Sequence, residues 1–236
     1  MTEYSQIERQ LAIDLDLPQR PVAVTFLDEP PDGVEKYEGV QPSGCSFWRM
    51  ASDGRTFYTI AADHYNCPIG SYTHNITPPA ERGHELEETI GFMTSIGYLR
   101  AEEVPMIPRL AETPGVVVYS PLGATPVDPD VVLFWGPPGK VMLLQEAATR
   151  AGVSAELQTL GRPTCMILPA AMSHGTLAST GCVGNRVYTG LNDTELYVAI
   201  PGRDLAHVTR EASIVRTANA TLLEYHRGRQ RDLARA

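Results

Sequence analysis

No stretch of this 236-residue chain approaches the roughly 20 consecutive apolar residues that span a bilayer. Its opening, Met1-Thr-Glu-Tyr-Ser-Gln-Ile-Glu, has neither the basic start nor the apolar run of a secretory signal. Membrane insertion is therefore excluded as an expectation, and the cytoplasm is the expected compartment. Basic residues are few: 19 Lys and Arg stand against 28 Asp and Glu, a net charge of −9. Most of such a surface repels a phosphate backbone, which argues against nucleic acid and anionic membrane as partners. Cysteine is sparse as well, four in all, too few for a disulfide scaffold. C-x-x-C is absent, which removes zinc ribbons and ferredoxin-type cluster loops, since both need close ligand pairs. Gly-x-Ser-x-Gly is absent, and Gly136-Pro-Pro-Gly139-Lys140 is followed by Val141 where a phosphate loop needs a hydroxyl; serine hydrolysis and nucleotide hydrolysis lose their usual signatures.

What is present is an ordinary globular composition, 43% hydrophobic and 20% charged. The pattern predicts an amphipathic helix over 5–15, a helix over 84–98 with acids in its first turn, one over 140–151 capped by Gly152, and a long polar helix from Arg203 into a basic tail. The tail reads as a solvated helix end with cations at its favourable pole. Strands are predicted near 20–27, 55–62, 116–119, 130–135, 176–179 and 195–200. Val22 to Leu27 and Val131 to Phe134 are apolar at every position, so both faces of their sheet should be covered. The expected fold is mixed α/β, a sheet covered by helices, in one domain over 1–236.

The sequence also repeats itself weakly. Cys67-Pro-Ile-Gly70-Ser-Tyr72-Thr lies beside Cys182-Val-Gly184-Asn-Arg186-Val-Tyr188-Thr with one residue of slip. Each segment follows a predicted strand, each strand follows a segment that begins with Cys45 or Cys165, and upstream of both is a two-faced strand ending in paired prolines. The two cysteine intervals differ, 22 residues against 17. The reading is an internal duplication into halves of about 18–110 and 115–202, with one cysteine pair in each and a site drawn from both.

The four thiols sit beside turn-forming residues: Gly44 before Cys45, Pro68 after Cys67, Pro163 two before Cys165, and Gly181 and Gly184 around Cys182. Three should open helices. Scattered cysteines are often plain core residues. Equally, glycine lets a backbone approach a ligand and donate N–H bonds to sulfur. Cys45, Cys67, Cys165 and Cys182 are thus candidate metal ligands. Gly44, Gly70, Gly181 and Gly184 are candidates for cradling the bound group. His64, three residues before Cys67, could join the site, and Arg186, four after Cys182, could hold an anionic group near the thiolate.

The glycine-flanked segments Asn66-Cys67-Pro68-Ile69-Gly70 and Gly181-Cys182-Val183-Gly184-Asn185-Arg186-Val187-Tyr188, followed by Glu195 to Pro201 and a terminal helix, resemble the uncharacterised prokaryotic family catalogued as domain of unknown function 169. The resemblance covers nearly the whole chain, and Gly-Cys-x-Gly-x-Arg-x-Tyr is its most specific part. It implies a stand-alone cytoplasmic α/β protein of bacteria or archaea, with the glycine-cysteine segments as functional centre, and carries no established reaction.

Two functional expectations follow. In the first, the four cysteines hold a four-iron iron-sulfur cluster between two similar halves, and the protein works with a redox partner. In the second, the halves enclose an apolar pocket for an organic ligand or a haem, with Cys67 or His64 as the contact and the cysteines otherwise structural.

Overall fold

The computed structural model describes residues 2–235, with the backbone alone considered at 156–159. Seven strands form one sheet: β1 (Val22–Leu27), β2 (Phe57–Ile60), β3 (Val116–Pro121), β4 (Val131–Gly136), β5 (Ser154–Leu160), β6 (Thr176–Ser179) and β7 (Leu196–Pro201). Their order is β2-β3-β1-β4-β7-β6-β5. All neighbours are antiparallel except β5 and β6. The helices are α1 (Glu3–Leu15), α2 (Cys45–Ser52), α3 (Pro68–Thr73), α4 (Glu85–Ser95), α5 (Pro138–Ala151), α6 (Ile167–His174), α7 (Val183–Thr189) and α8 (Leu205–Leu233).

The fold is mixed α/β, as the two-faced strands predict. Alternate residues of each central strand enter different cores. Val22, Val24, Val131 and Leu133 face one cluster with Trp48, Tyr119, Leu168 and Tyr197. Ala23, Val132, Phe134 and Val198 face a second with Leu11, Leu144 and Val208. The first core is roofed by α2 and α6, the second by α1, α5 and α8. Period-two alternation between two apolar layers is why β1 and β4 carry no polar face.

The strand order has internal regularity. From the centre outward, β1-β3-β2 and β4-β7-β6 have the same order and the same antiparallel senses, and β1 and β4 meet back to back with Ala23 opposite Val132. In each group a cysteine segment follows the first strand, and a helix capped by cysteine follows the second: α2 and α3 in one, residues 164–166 with α6, and then α7, in the other. β3 completes the first group although the sequence reading assigns it to the second half. The second group alone carries α5 and the edge strand β5. Contacts cross between the groups, α2 packing on α7 and residues 164–166 packing on α3. All four cysteine segments therefore gather on the same face of the sheet. Among the described residues no helix is long and apolar enough to cross a membrane.

Candidate functional site

On that face, between the cysteine segments, lies a cavity of about 510 Å³. Its wall is mainly apolar. Ile69, Met93 and Ile107 contribute to it, Val183 and Tyr188 stand on the α7 side, and Phe92 and Ile96 on the α4 side. All four cysteines line it too.

Local sequence explains where each sulfur sits. Cys67 and Cys182 are the N-caps of α3 and α7, and Pro68 suits the first turn of α3 because its missing N–H has no intrahelical role there. Cys182 Sγ accepts from the Asn185 N–H at 3.5 Å, and its own N–H donates to Thr164 Oγ1. Ser43 Oγ reaches Cys67 Sγ at 3.7 Å and also accepts from the Cys45 N–H at 3.3 Å. Cys165 Sγ lies 3.9 Å from the Ile69 carbonyl, tying the second group to α3 of the first. Burial, with the nearby Cys67 thiol, pushes the Cys45 thiol up to about 12. Burial likewise lifts Cys165 well above the usual thiol range, with Cys45 and Cys67 adding to it. A thiol that stays protonated is a poor nucleophile. Iodoacetamide at pH 8 should therefore alkylate the half-buried Cys67 and Cys182 at least tenfold faster than the buried Cys45 and Cys165. Peptide mass spectrometry over a time course reads this, and equal labelling of all four would refute the assignment.

The iron-sulfur expectation is corrected here. Among the described residues no group of three or more His, Cys, Asp or Glu side chains is placed to hold a metal ion. Cys45, Cys67, Cys165 and Cys182 share a cavity without converging on a point, and all four are free thiols. The sulfurs of Cys67, Cys165 and Cys182 are each engaged by a neighbouring hydroxyl, carbonyl or N–H in the wall.

The glycines serve their neighbours. A Cβ on Gly70 would stand 2.9 Å from Cys67 Sγ, so the glycine makes room for the sulfur over the first turn of α3. Gly181 has φ +76° and would press Leu191 at 2.7 Å, so the turn into Cys182 needs a residue without Cβ. Gly44 abuts His64, its would-be Cβ 3.3 Å from Nδ1. Gly184 alone of the four lines the cavity. Arg186 is spent on its own loop: it donates to the Asn192 carbonyl at 2.6 Å, to the Thr180 carbonyl and to the Glu195 carbonyl at 3.3 Å, and lies 3.5 Å from the Asp193 carboxylate, clasping the loop between α7 and β7. His64 lies behind the cavity wall, its Nε2 2.8 Å from Thr59 Oγ1 and its ring against Phe47 and His74.

Three contributors went unread in the sequence. Asn185 is buried in the wall on the cysteine side, Arg162 is the one cation among the described lining residues, and α4 offers Phe92 and Ile96, 64% and 60% exposed. Only α4 left a signal, the apolar spacing Leu86-Ile90-Met93-Ile96, whose first three residues pack on the core while Ile96 stays exposed.

A family model described as "Uncharacterised ArCR, COG2043" (DUF169) matches residues 10–210, which include every residue of the cavity wall. The chain belongs to this family. The DUF169 match ends within α8, so the projecting turns of that helix lie beyond the shared region. The chain is 27% identical over 192 residues to "Uncharacterized protein MJ0308" of Methanocaldococcus jannaschii, covering 77% of this chain and 80% of that protein. No solved structure matches it.

Proposed function

We propose that this protein binds a small, largely apolar organic molecule in the cysteine-walled cavity. The observation that carries the reading is the cavity itself: about 510 Å³ of space with a mainly apolar wall, within the size range of small-molecule sites. Its rim supports the same reading. Phe92, Ile96, Val183 and Tyr188 are exposed apolar side chains gathered at one opening, and apolar surface concentrated around a concavity marks a binding site more often than a scattered distribution does. A depression of about 580 Å³ between α5 and α8 is a weaker candidate. Its wall mixes polar and apolar residues, and its polar side chains Arg150 and Asn219 are already paired, with Glu211 at 3.0 Å and with Glu146 at 3.0 Å. A haem held by His64 gains no support, because that imidazole is bonded to Thr59 and does not line the cavity. The cysteines then serve as compact, polarizable wall residues that also cap helices.

Filling the cavity tests the reading. Gly184 lines it on α7 with ordinary backbone angles, and a Cβ there meets only the Tyr188 ring at 3.6 Å. Gly184→Trp should therefore place an indole in the ligand's space at little cost to folding. The neutral dye N-phenyl-1-naphthylamine should bind the wild-type protein saturably with enhanced fluorescence. Gly184→Trp should weaken it at least tenfold, whereas Gly139→Ala, remote on α5 with nothing within 4 Å of its Cβ position, should leave it unchanged. Wild-type protein that fails to bind the dye, or a tryptophan variant that binds it equally well, defeats the proposal.

A further inference from the structure

The mouth of the cavity carries a single, loosely held positive charge. Arg162 is the one cation among the described lining residues, and no Asp or Glu stands among them. Its side chain is 43% exposed, and its ion pair with Glu103, at 3.6 Å, is too long to be a hydrogen bond. That carboxylate is committed elsewhere: it accepts from the Arg100 N–H at 2.9 Å and from the Arg100 guanidinium at 3.1 and 3.0 Å. A guanidinium presents five N–H donors in a fixed fork, so most of the capacity of Arg162 is unspent.

The guanidinium is nevertheless held in place. It lies 5.0 Å from the centre of the Tyr98 ring. Tyr98 is itself a lining residue, with its hydroxyl facing the Val183 backbone at the start of α7 and close enough to Cys182 to feel its charge. Arg162 also borders a shallower depression beside Glu103, Met106 and Met166, so it stands on the ridge between the two, whereas Tyr98 belongs to the cavity alone. Stacking on an aromatic ring leaves the edge donors of a guanidinium available to an anion.

Charge then selects the kind of ligand. Behind the mouth, burial keeps the Cys45 and Cys165 thiols protonated, so the inner wall favours an apolar body. Elsewhere a chain of net charge −9 repels anions, and Arg162 supplies the opposing charge at this opening. One guanidinium neutralises one negative charge, and its fork matches a carboxylate two-pointed. A phosphate monoester would bring a second negative charge that no lining cation meets.

Resting on the reading of the cavity as a ligand site, we infer that the ligand is an amphipathic monocarboxylate, its carboxylate paired with Arg162 at the mouth and its apolar body directed inward against Ile69, Met93 and Ile107.

Three probes of one shape separate the contributions: 2-naphthoate, naphthalene-2-carboxamide and 2-naphthyl phosphate, each measured by displacement of N-phenyl-1-naphthylamine from the intact chain in low-salt buffer. The naphthoate should bind at least fivefold tighter than either of the others. In Arg162→Gln that preference over the carboxamide should shrink to twofold or less, while the affinity of the neutral dye, which reports that the cavity is intact, stays within twofold of wild type. Arg162→Ala should give the same loss if the glutamine variant fails to fold. Three results overturn the inference but leave the cavity reading standing: a carboxamide that binds as tightly as the naphthoate, a phosphate that binds more tightly, or a naphthoate preference that survives substitution of Arg162. Absence of dye binding to the wild-type protein overturns both together.

Discussion

Acidification from pH 6.5 to about 4.5 should destabilise the protein by several kcal/mol through two histidines. His64 and His74 are both 1% exposed, with rings 5.4 Å apart. Burial, reinforced by His74, holds His64 down at about 3, and burial holds His74 down at about 4. The physical basis is visible in the surroundings. His64 has Thr59 at Nε2 and no partner at Nδ1, while His74 has none at either nitrogen among the described residues and packs on Phe26 at 5.6 Å. Unfolded, both titrate near 6.5. At pH values between about 4 and 6.5 the unfolded chain thus binds up to two protons that the native chain refuses, and stability falls as pH falls. Each proton contributes about 1.4 kcal/mol per pH unit, so two pH units can remove on the order of 5 kcal/mol, comparable with the whole stability of many domains. Asp130, raised chiefly by burial, works the other way and offsets a minor part. Chemical denaturation between pH 7 and 4.5 checks this. His74→Phe, which preserves a ring against Phe26, should halve the slope; a wild-type slope near zero over this range would contradict the assignment.

These two histidines also show where sequence reasoning stops. His64 and His74 flank Cys67 by three and seven residues, which suggests membership of a common site. Position along the chain does not reveal that α3 turns its Ile69 and Cys67 toward the cavity while both imidazoles pack behind it against Phe47 and Phe26. The architecture was far more legible. Strands apolar at every position announce a sheet with two cores; β1 begins two residues later than its predicted span and β4 is shifted from its own by one. The cysteines predicted to open helices do so at α2, α3 and α7. β5 was missed altogether: its sequence, Ser154-Ala-Glu-Leu-Gln-Thr-Leu160, has one β-branched residue, and it forms at the sheet edge, parallel to β6 after the α5 crossover. Asn185 was passed over for a related reason. Its burial is created by the packing of α2 on α7, across more than 130 residues of chain, and no local pattern encodes that. The metal expectation failed at the same level, because shared residence in a wall is set by topology whereas convergence of sulfurs is set by side-chain direction.

Replacing Gly202 with alanine should be among the most damaging single changes in the protein, although the sequence marks that residue only as the turn after β7. A Cβ there would stand 1.6 Å from the Pro129 carbonyl oxygen, a backbone atom, and 2.7 Å from its carbon. Neither side can yield easily. The Gly202 N–H donates to the Asp130 carbonyl at 2.8 Å, and the Asp130 N–H donates to the Val24 carbonyl at 3.0 Å. Residue by residue beyond this point β4 pairs with β7, starting at Val131 opposite Pro201. Relief of the clash therefore requires β4 and β7 to part at the middle of the sheet, where Val131, Val132 and Ile200 are fully buried. Overpacking against side chains costs about 1–3 kcal/mol; against a backbone pinned on both sides the loss should be about 3 kcal/mol or more, which for a chain of this size lowers Tm by roughly 10 °C. Gly139→Ala supplies the comparison, since its Cβ would meet nothing within 4 Å in the first turn of α5 and should cost nothing. Thermal melts of the two variants decide the matter: a Gly202→Ala protein within 2 °C of wild type would mean that the close approach of the β7 turn to Pro129 does not constrain the sheet.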